Sequence, residues 1–386
     1  MNLDLRLNSG GDYYARKFQP TRSEDTLILN MGPQHPSTHG VLRVLLEIDG
    51  EYIVRAEPVL GYIHRMHEKM AEVRTYAQYL PNMGRTDYLH ALAWNWAYVG
   101  AVERLMGIEV PERAEFIRVI TCELNRINSH LLWWGAYLLD LGAFTPIMYA
   151  FADRERVMDI LQRITGSRLT YCYYRFGGVS ADIDDRFVSE VREFCYSMEE
   201  RLKIFKDLVT GNIILRQRVE DIGHIDVETC RKFGATGPTL RGAGVEYDVR
   251  RKEPYSIYDR FEFKVPVYED CDALSRYMVR MEEIEQSIEI ILQALDALPR
   301  GQHINPLAPR RPCPPRGDIY FAVESARGKV GMHLVSHGGE SPYRLKLRAP
   351  SFSNLSLFAE VSAGTLLSDA VSILGSLDLV IPEIDR

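Results

Sequence analysis

The run Gly32-Pro33-Gln34-His35-Pro36-Ser37-Thr38-His39-Gly40 sets two imidazoles four residues apart. On a helix that spacing would suit a metal pair, but the prolines and glycines make the run a turn, which weakens a zinc reading. A fixed loop that aims one or two imidazoles into a cavity fits better, because scaffolded loops commonly carry binding groups. A structural turn with exposed histidines fits the pattern equally. Asp140 is a second candidate, a carboxyl inside Leu131 to Ala152, the most apolar stretch of the chain. A buried acid without a partner is neutralised or costs several kcal/mol, so a histidine, an arginine or a water chain should stand nearby. The plainer alternative is a helix-packing carboxyl bonded to a backbone group. Two further runs, Gly61 to Lys69 and Met83 to His90, mix charge with aromatics near helix starts. Singly, His64, His67 and His90 read more readily as solvated or satisfied in the core than as functional, and Tyr88 fits a core tyrosine with its hydroxyl at the surface equally well.

Composition bounds what these groups can serve. Of 386 residues, 46% are hydrophobic and 10% aromatic, enough to bury a large core. A net charge of -7 gives no electrostatic reason to expect nucleic acid. The six cysteines, Cys122, Cys172, Cys195, Cys230, Cys271 and Cys313, never approach CxxC spacing, so no self-contained zinc or iron–sulfur site is expected and any cluster would belong to a partner. The first residues lack the charged start and apolar run of a secretory signal, which makes the reduced cytoplasm the default. Leu131 to Ala152 is long enough to span a bilayer, but Asp140 in its middle costs about 3 kcal/mol for insertion and Thr145-Pro146 should interrupt it. A buried helix with an internal acid is the expectation.

The elements that must position these residues follow from periodicity. Thr26 to Met31, Val41 to Asp49 and Glu51 to Val59 read as strands, with a hairpin turn at Asp49-Gly50. Helical spacing marks Asp87 to Met106, Glu112 to Leu141, Arg154 to Tyr173, Asp184 to Leu208 and Asp270 to Leu298. Gly234 to Pro266, rich in Gly, Pro and aromatics, reads as loops and short strands. Five prolines between Pro306 and Pro315 make an extended linker, and Ile319 to Glu324 with Val330 to Ser336 suggest a second hairpin. The fold class is therefore α+β, a helical bundle with small antiparallel β units from both ends of the chain. Its expected divisions are an N-terminal β unit over 1–62, a helical core over 63–300 with an inserted region at 234–266, and a β hairpin with helical tail over 301–386.

Several long runs then carry a resemblance: LNMGPQHPSTHGVLRVLLEIDGE, GYIHRMHEK, MGRTDYL, YLLDLGAFTP, TGPTLRGAGVEYDVRRKEPYSIYDRFEF and SLDLVIPEIDR, in order over nearly the whole chain. The chain resembles the family of quinone-site subunits of proton-pumping NADH:quinone oxidoreductase, or complex I, whose fold is similar to the large subunit of nickel–iron hydrogenases without the metal centre. The resemblance implies a quinone substrate, with no cofactor bound by this chain alone. It also implies as partners an iron–sulfur subunit carrying the terminal tetranuclear cluster and the other peripheral-arm and membrane-arm subunits. The location implied is peripheral, on the cytoplasmic face of the cell membrane, with no transmembrane helix. The electron donor could be NADH, reduced deazaflavin or ferredoxin.

By the same resemblance His39 and Tyr88 face the quinone headgroup with His35 in the same turn, Asp140 pairs with His39, and Arg65 lies near the partner's cluster. Two departures stand out. The family's His-Arg-Gly is His64-Arg65-Met66 here, which leaves the backbone path there open. A histidine that many members carry near the cluster is replaced by Thr170, which should lower and flatten that cluster's pH-dependent potential and so favours a low-potential quinone such as menaquinone. Two other readings compete. A catalytic hydrogenase needs two CxxC pairs, whereas Val380 and Glu383 occupy the two cysteine places of its tail, and valine cannot ligate a metal. A metal-free scaffold or assembly protein would keep the fold without the reaction.

Overall fold

Asp49 and Gly50, with Gly50 at φ 60°, turn the chain between two strands as the hairpin signal predicts. The computed structural model describes residues 26–33 and 40–386. In it β1 (Thr26–Met31), β2 (Arg43–Asp49) and β3 (Tyr52–Val59) form one antiparallel sheet in that order. Val44, Leu46 and Ile53 bury against Leu355, Phe358 and Leu374, so helices from the end of the chain cover a sheet from its beginning. That small core fixes the facing ends of β1 and β2 at Met31 and Arg43.

The main core is helical. The Glu112–Asp140 helix runs 29 residues, with Glu112 and Glu115 in the first turn where the helix dipole favours acids. It packs against the Thr145–Thr165 and Ala273–Asp296 helices, and Asp185–Phe205 packs on both of those. Gly135 permits the approach of the Thr145–Thr165 helix, since a Cβ there would stand 3.0 Å from Ala150 Cβ and 3.2 Å from Ile147 Cα. The Ala91–Met106 helix lies against a C-terminal sheet of Gly317–Ser325, Gly328–Ser336 and Arg344–Arg348. The fold is α+β.

Several boundaries differ from expectation for identifiable reasons. The helix expected from Asp87 starts at Ala91, because the Asp87 carboxylate accepts the Leu89 and His90 N–H groups and holds the preceding turn. The helix expected over Arg154 to Tyr173 is Thr145–Thr165: Pro146 sits in its first turn, where a missing N–H costs nothing, and Gly166 at φ 72° ends it. Asp140 is the last residue of its helix rather than an internal acid, and it is half-buried. The stretch 234–266 holds no strand; it forms single-turn helices at Pro238–Arg241 and Val249–Lys252 and a 3-10 turn at Tyr258–Arg260. Buried arginines there draw the backbone inward, as when Arg241 donates to the Tyr247 carbonyl at 2.9 Å. The second hairpin gains a third strand, Arg344–Arg348. No helix among the described residues is long and apolar enough to cross a membrane.

Candidate functional site

Tyr88 stands in the tight connection between the Tyr76–Met83 and Ala91–Met106 helices, 38% exposed. Its neighbour Asp87 is fully buried and fixes the turn from both ends. One carboxylate oxygen accepts Leu89 N–H at 2.9 Å and His90 N–H at 3.1 Å, and the other accepts from Arg327 Nη1 at 3.0 Å. Arg327, buried in the turn between two strands of the C-terminal sheet, also donates to Asp378 at 3.3 Å. Burial raises the Tyr88 phenol above its usual range, with Arg327 opposing and Asp87 and Asp378 adding to the rise. The buried Arg154 guanidinium acts on the same phenol. This makes Tyr88 a proton-bearing group at a surface, backed by an interior salt-bridge network.

Behind it the network continues. Asp378 Oδ2 lies 3.9 Å from Arg280 Nε. Glu383, fully buried, accepts Trp94 Nε1–H at 3.2 Å and Ser351 N–H at 2.9 Å. Nearby His90 is satisfied on both sides, accepting Ala326 N–H at Nδ1 and donating from Nε2 to the Cys122 carbonyl, so it is neutral and occupied in packing. Reasoning from sequence singles out Tyr88 but not Asp87, Arg154, Arg327 or Asp378. Asp87 has a signal in the Asp-Tyr pair; the arginines have none, because their partners lie far away in the chain.

His35 and His39 lie outside the described residues. The described residues on either side of them are closely packed. Gly32, at φ 85°, stands so close to the Leu42 carbonyl that a Cβ would fall 2.1 Å from it, and a Cβ at Gly40 would lie 3.7 Å from Ile381 Cγ1. Gly40 therefore lies beside the 378–383 segment that also holds Asp378 and Glu383. Asp140 ends the Glu112–Asp140 helix, after which Gly142, at φ 92°, reverses the chain. Among the described residues no group of three or more His, Cys, Asp or Glu is arranged to hold a metal ion.

Residues 140–314 and 307–386 match the family model described as the respiratory-chain NADH dehydrogenase 49 Kd subunit. The chain belongs to this family. It is 61% identical over 94% of its length to the D subunit of NADH-quinone oxidoreductase from Desulfotalea psychrophila, covering 98% of that protein. It is 60% identical to the D subunit numbered 2 from Opitutus terrae and 57% identical to the D subunit from Syntrophobacter fumaroxidans, over 94% and 96% of the chain and 91% and 100% of those proteins. As a 49-kDa-family member it is an oxidoreductase subunit of complex I, its partners are other subunits of that membrane-associated complex, and its fold is hydrogenase-large-subunit-like.

Two positions where this 49-kDa-family chain departs from the expected motifs share one backbone feature. Met66 caps the His67–Val73 helix at φ 54° and ψ 37°, and Thr170 has φ 50°. Both lie in the left-handed region that side chains enter at a cost of roughly 1–2 kcal/mol. The Met66 turn is tied to the C-terminus: Gly61 N and Ile63 N each donate at 2.9 Å to the Asp385 carboxylate. Arg65 is exposed beside it. The backbone of Thr170 packs on Gly84, where a Cβ would meet the Thr170 carbonyl carbon at 3.0 Å, so Thr170 stands next to the turn that bears Tyr88.

Proposed function

We propose that this chain builds the quinone-reducing site of an NADH-quinone oxidoreductase together with the iron–sulfur subunit, and that it supplies protons to the reduced quinone. Two electrons place negative charge on the two carbonyl oxygens, and each needs a proton donor. Tyr88 gives one proton from its phenol and His39 gives the other from its imidazole, with His35 in the same turn. Asp140 orients His39 and stabilises its charged form before transfer. The observation that carries this reading is the setting of Tyr88: an accessible phenol whose turn is clamped by Asp87 and Arg327, with Asp378 of the segment against which Gly40 packs acting on it.

Electrons arrive from the partner's tetranuclear cluster, with Arg65 favouring its reduced state and Thr170 close by. Loss of both protons changes the charge of the site, moves adjacent loops and so couples reduction to proton translocation in the membrane subunits. The complex sits with this chain on the cytoplasmic face, and the donor upstream is NADH, as in the names of its relatives. The experiment is Tyr88→Phe in membranes. Quinone reduction should fall about 100-fold, on the scale of a lost general acid, while NADH oxidation by an artificial acceptor upstream of the quinone holds. Unchanged quinone turnover would overturn the donor role.

A further inference from the structure

Three acids and two arginines are shut together behind Tyr88. Asp87, Asp378 and Glu383 face Arg327, Asp378 also faces Arg280, and all five are buried. A buried carboxylate that no charged group donates to is the kind folded proteins neutralise by retaining a proton. Geometry says which acid keeps it. Asp87 accepts two backbone N–H groups and one Arg327 N–H; Asp378 accepts from Arg327 and stands 3.9 Å from Arg280. Glu383 has only neutral donors, the indole of Trp94 and the backbone of Ser351.

We propose that Glu383 is a proton reservoir for the quinone site, reloading Tyr88 after each reduction. This rests on the reading of Tyr88 as donor. When Tyr88 has given its proton, the Glu383 O–H bond breaks, a Tyr88 O–H bond forms, and the negative charge passes from phenolate to carboxylate. Solvent water, which reaches the chain at exposed Tyr88 and not at buried Glu383, then gives one proton back along the same path and is left as hydroxide. Asp87, whose carboxylate acts on both Glu383 and the phenol, links the two groups, and Asp378, whose Oδ2 accepts no hydrogen bond among the described residues, stands in the field of the phenol.

The charged groups facing Glu383 come from each element packed on it: Asp87 from the Tyr88 turn, Arg327 from the β turn, and Arg348 from the last strand, with the Ser351 hydroxyl and backbone at the start of the Pro350–Val361 helix. Burial first, and then the Asp87 carboxylate, hold the Glu383 carboxyl above the ordinary range, against the opposing pull of Arg327 and Ser351. The competing role is that of a plain acceptor for Trp94 and Ser351, which a glutamine would fill through its amide oxygen.

The test uses the assembled complex. In wild type, infrared spectra taken across neutral pH should show a protonated carboxyl band that fades as pH rises and is missing from Glu383→Gln. No band lost in the variant, or a band indifferent to pH, would overturn the proposal. In steady-state quinone reduction Glu383→Gln should lower kcat about 10-fold with KM held and flatten the pH profile near neutrality, and Glu383→Asp should restore part of both. Wild-type kcat and pH profile in Glu383→Gln would equally overturn it. Should the glutamine variant not assemble, the wild-type titration and Glu383→Asp carry the test. Tyr88→Phe with normal turnover would remove the donor reading, whereas the infrared titration judges Glu383 on its own.

Discussion

His67 is a buried imidazole with no hydrogen-bond partner on either ring nitrogen among the described residues. Burial, and then the charges of Arg65 and His64, depress its pKa to about 4. In the unfolded chain the ring titrates near 6.5, so between these values the unfolded state binds the proton more readily. Stability from a neutral His67 is thus fully present above about pH 6.5 and lost as pH falls through about 4. Thermal denaturation of the complex should therefore drop less steeply over that window in His67→Leu than in wild type; parallel curves would show that the ring is not the acid-sensitive group. Met66, next to it, admits a separate prediction. Glycine there would remove left-handed strain but add unfolded-state entropy, each worth about 1 kcal/mol, so Met66→Gly should shift stability by less than about 1 kcal/mol. Met66→Ile, with a branched Cβ at φ 54°, should cost about 1–2 kcal/mol more by denaturation midpoint. At this scale Asp140 drew notice as an acid in an apolar run and Tyr88 through the motif that carries the family resemblance, but the helix end on which Asp140 falls was not legible. Nor was Arg327, since its pairing with Asp87 joins residues 240 apart in sequence.

The long helices were legible from their apolar stripes, and their ends were not. Periodicity continues through residues 87–90, but hydrogen bonds from Leu89 and His90 to Asp87 close a turn that leaves the helix to begin at Ala91. The same competition between side chain and backbone removed the strands expected in 234–266, where cap and salt-bridge residues such as Asp248 supply the partners that a ladder would have given. Packing between elements is where a prediction belongs. Gly135 lets the Glu112–Asp140 helix meet Thr145–Thr165 at the contact of Ala150 and Ile147, which sets the direction from which the second helix leaves Asp140. A valine would need the Ile147 backbone to retreat, so Gly135→Val should cost about 1–3 kcal/mol, the range for overpacking. The signature to measure is a lower melting temperature together with slower quinone reduction, since the end of the helix carries Asp140. A drop in stability with full activity would show that the acid's position does not depend on this crossing.

At the level of the whole molecule, one guanidinium ties separate parts of the chain together. Arg241 is fully buried and pairs with Glu283 on the Ala273–Asp296 helix, with Glu324 at 2.9 Å on the C-terminal sheet, and with Asp248 at 3.7 Å on the intervening loop. Glu283 in turn hydrogen-bonds His130 at 2.8 Å on the Glu112–Asp140 helix. Burial alone would make each of these ions unfavourable; their mutual attraction is what permits a charged layer between the helical body and the sheet, and removing one member strands the others. Arg241→Met should therefore destabilise the protein by about 3–5 kcal/mol, most of it the penalty of acids left unpaired, and lower its yield in the assembled complex. Adding Glu283→Gln should recover part of that loss, because the two residues share one interaction and their effects cannot add. Assembly level and melting temperature of the two single variants and the double decide it. Strict additivity would mean that the layer is held by apolar packing around it, whereas recovery in the double locates the joint between helices and sheet in the ion pairs themselves. The second outcome follows from burial: water cannot reach Glu283 or Glu324 to replace the lost arginine.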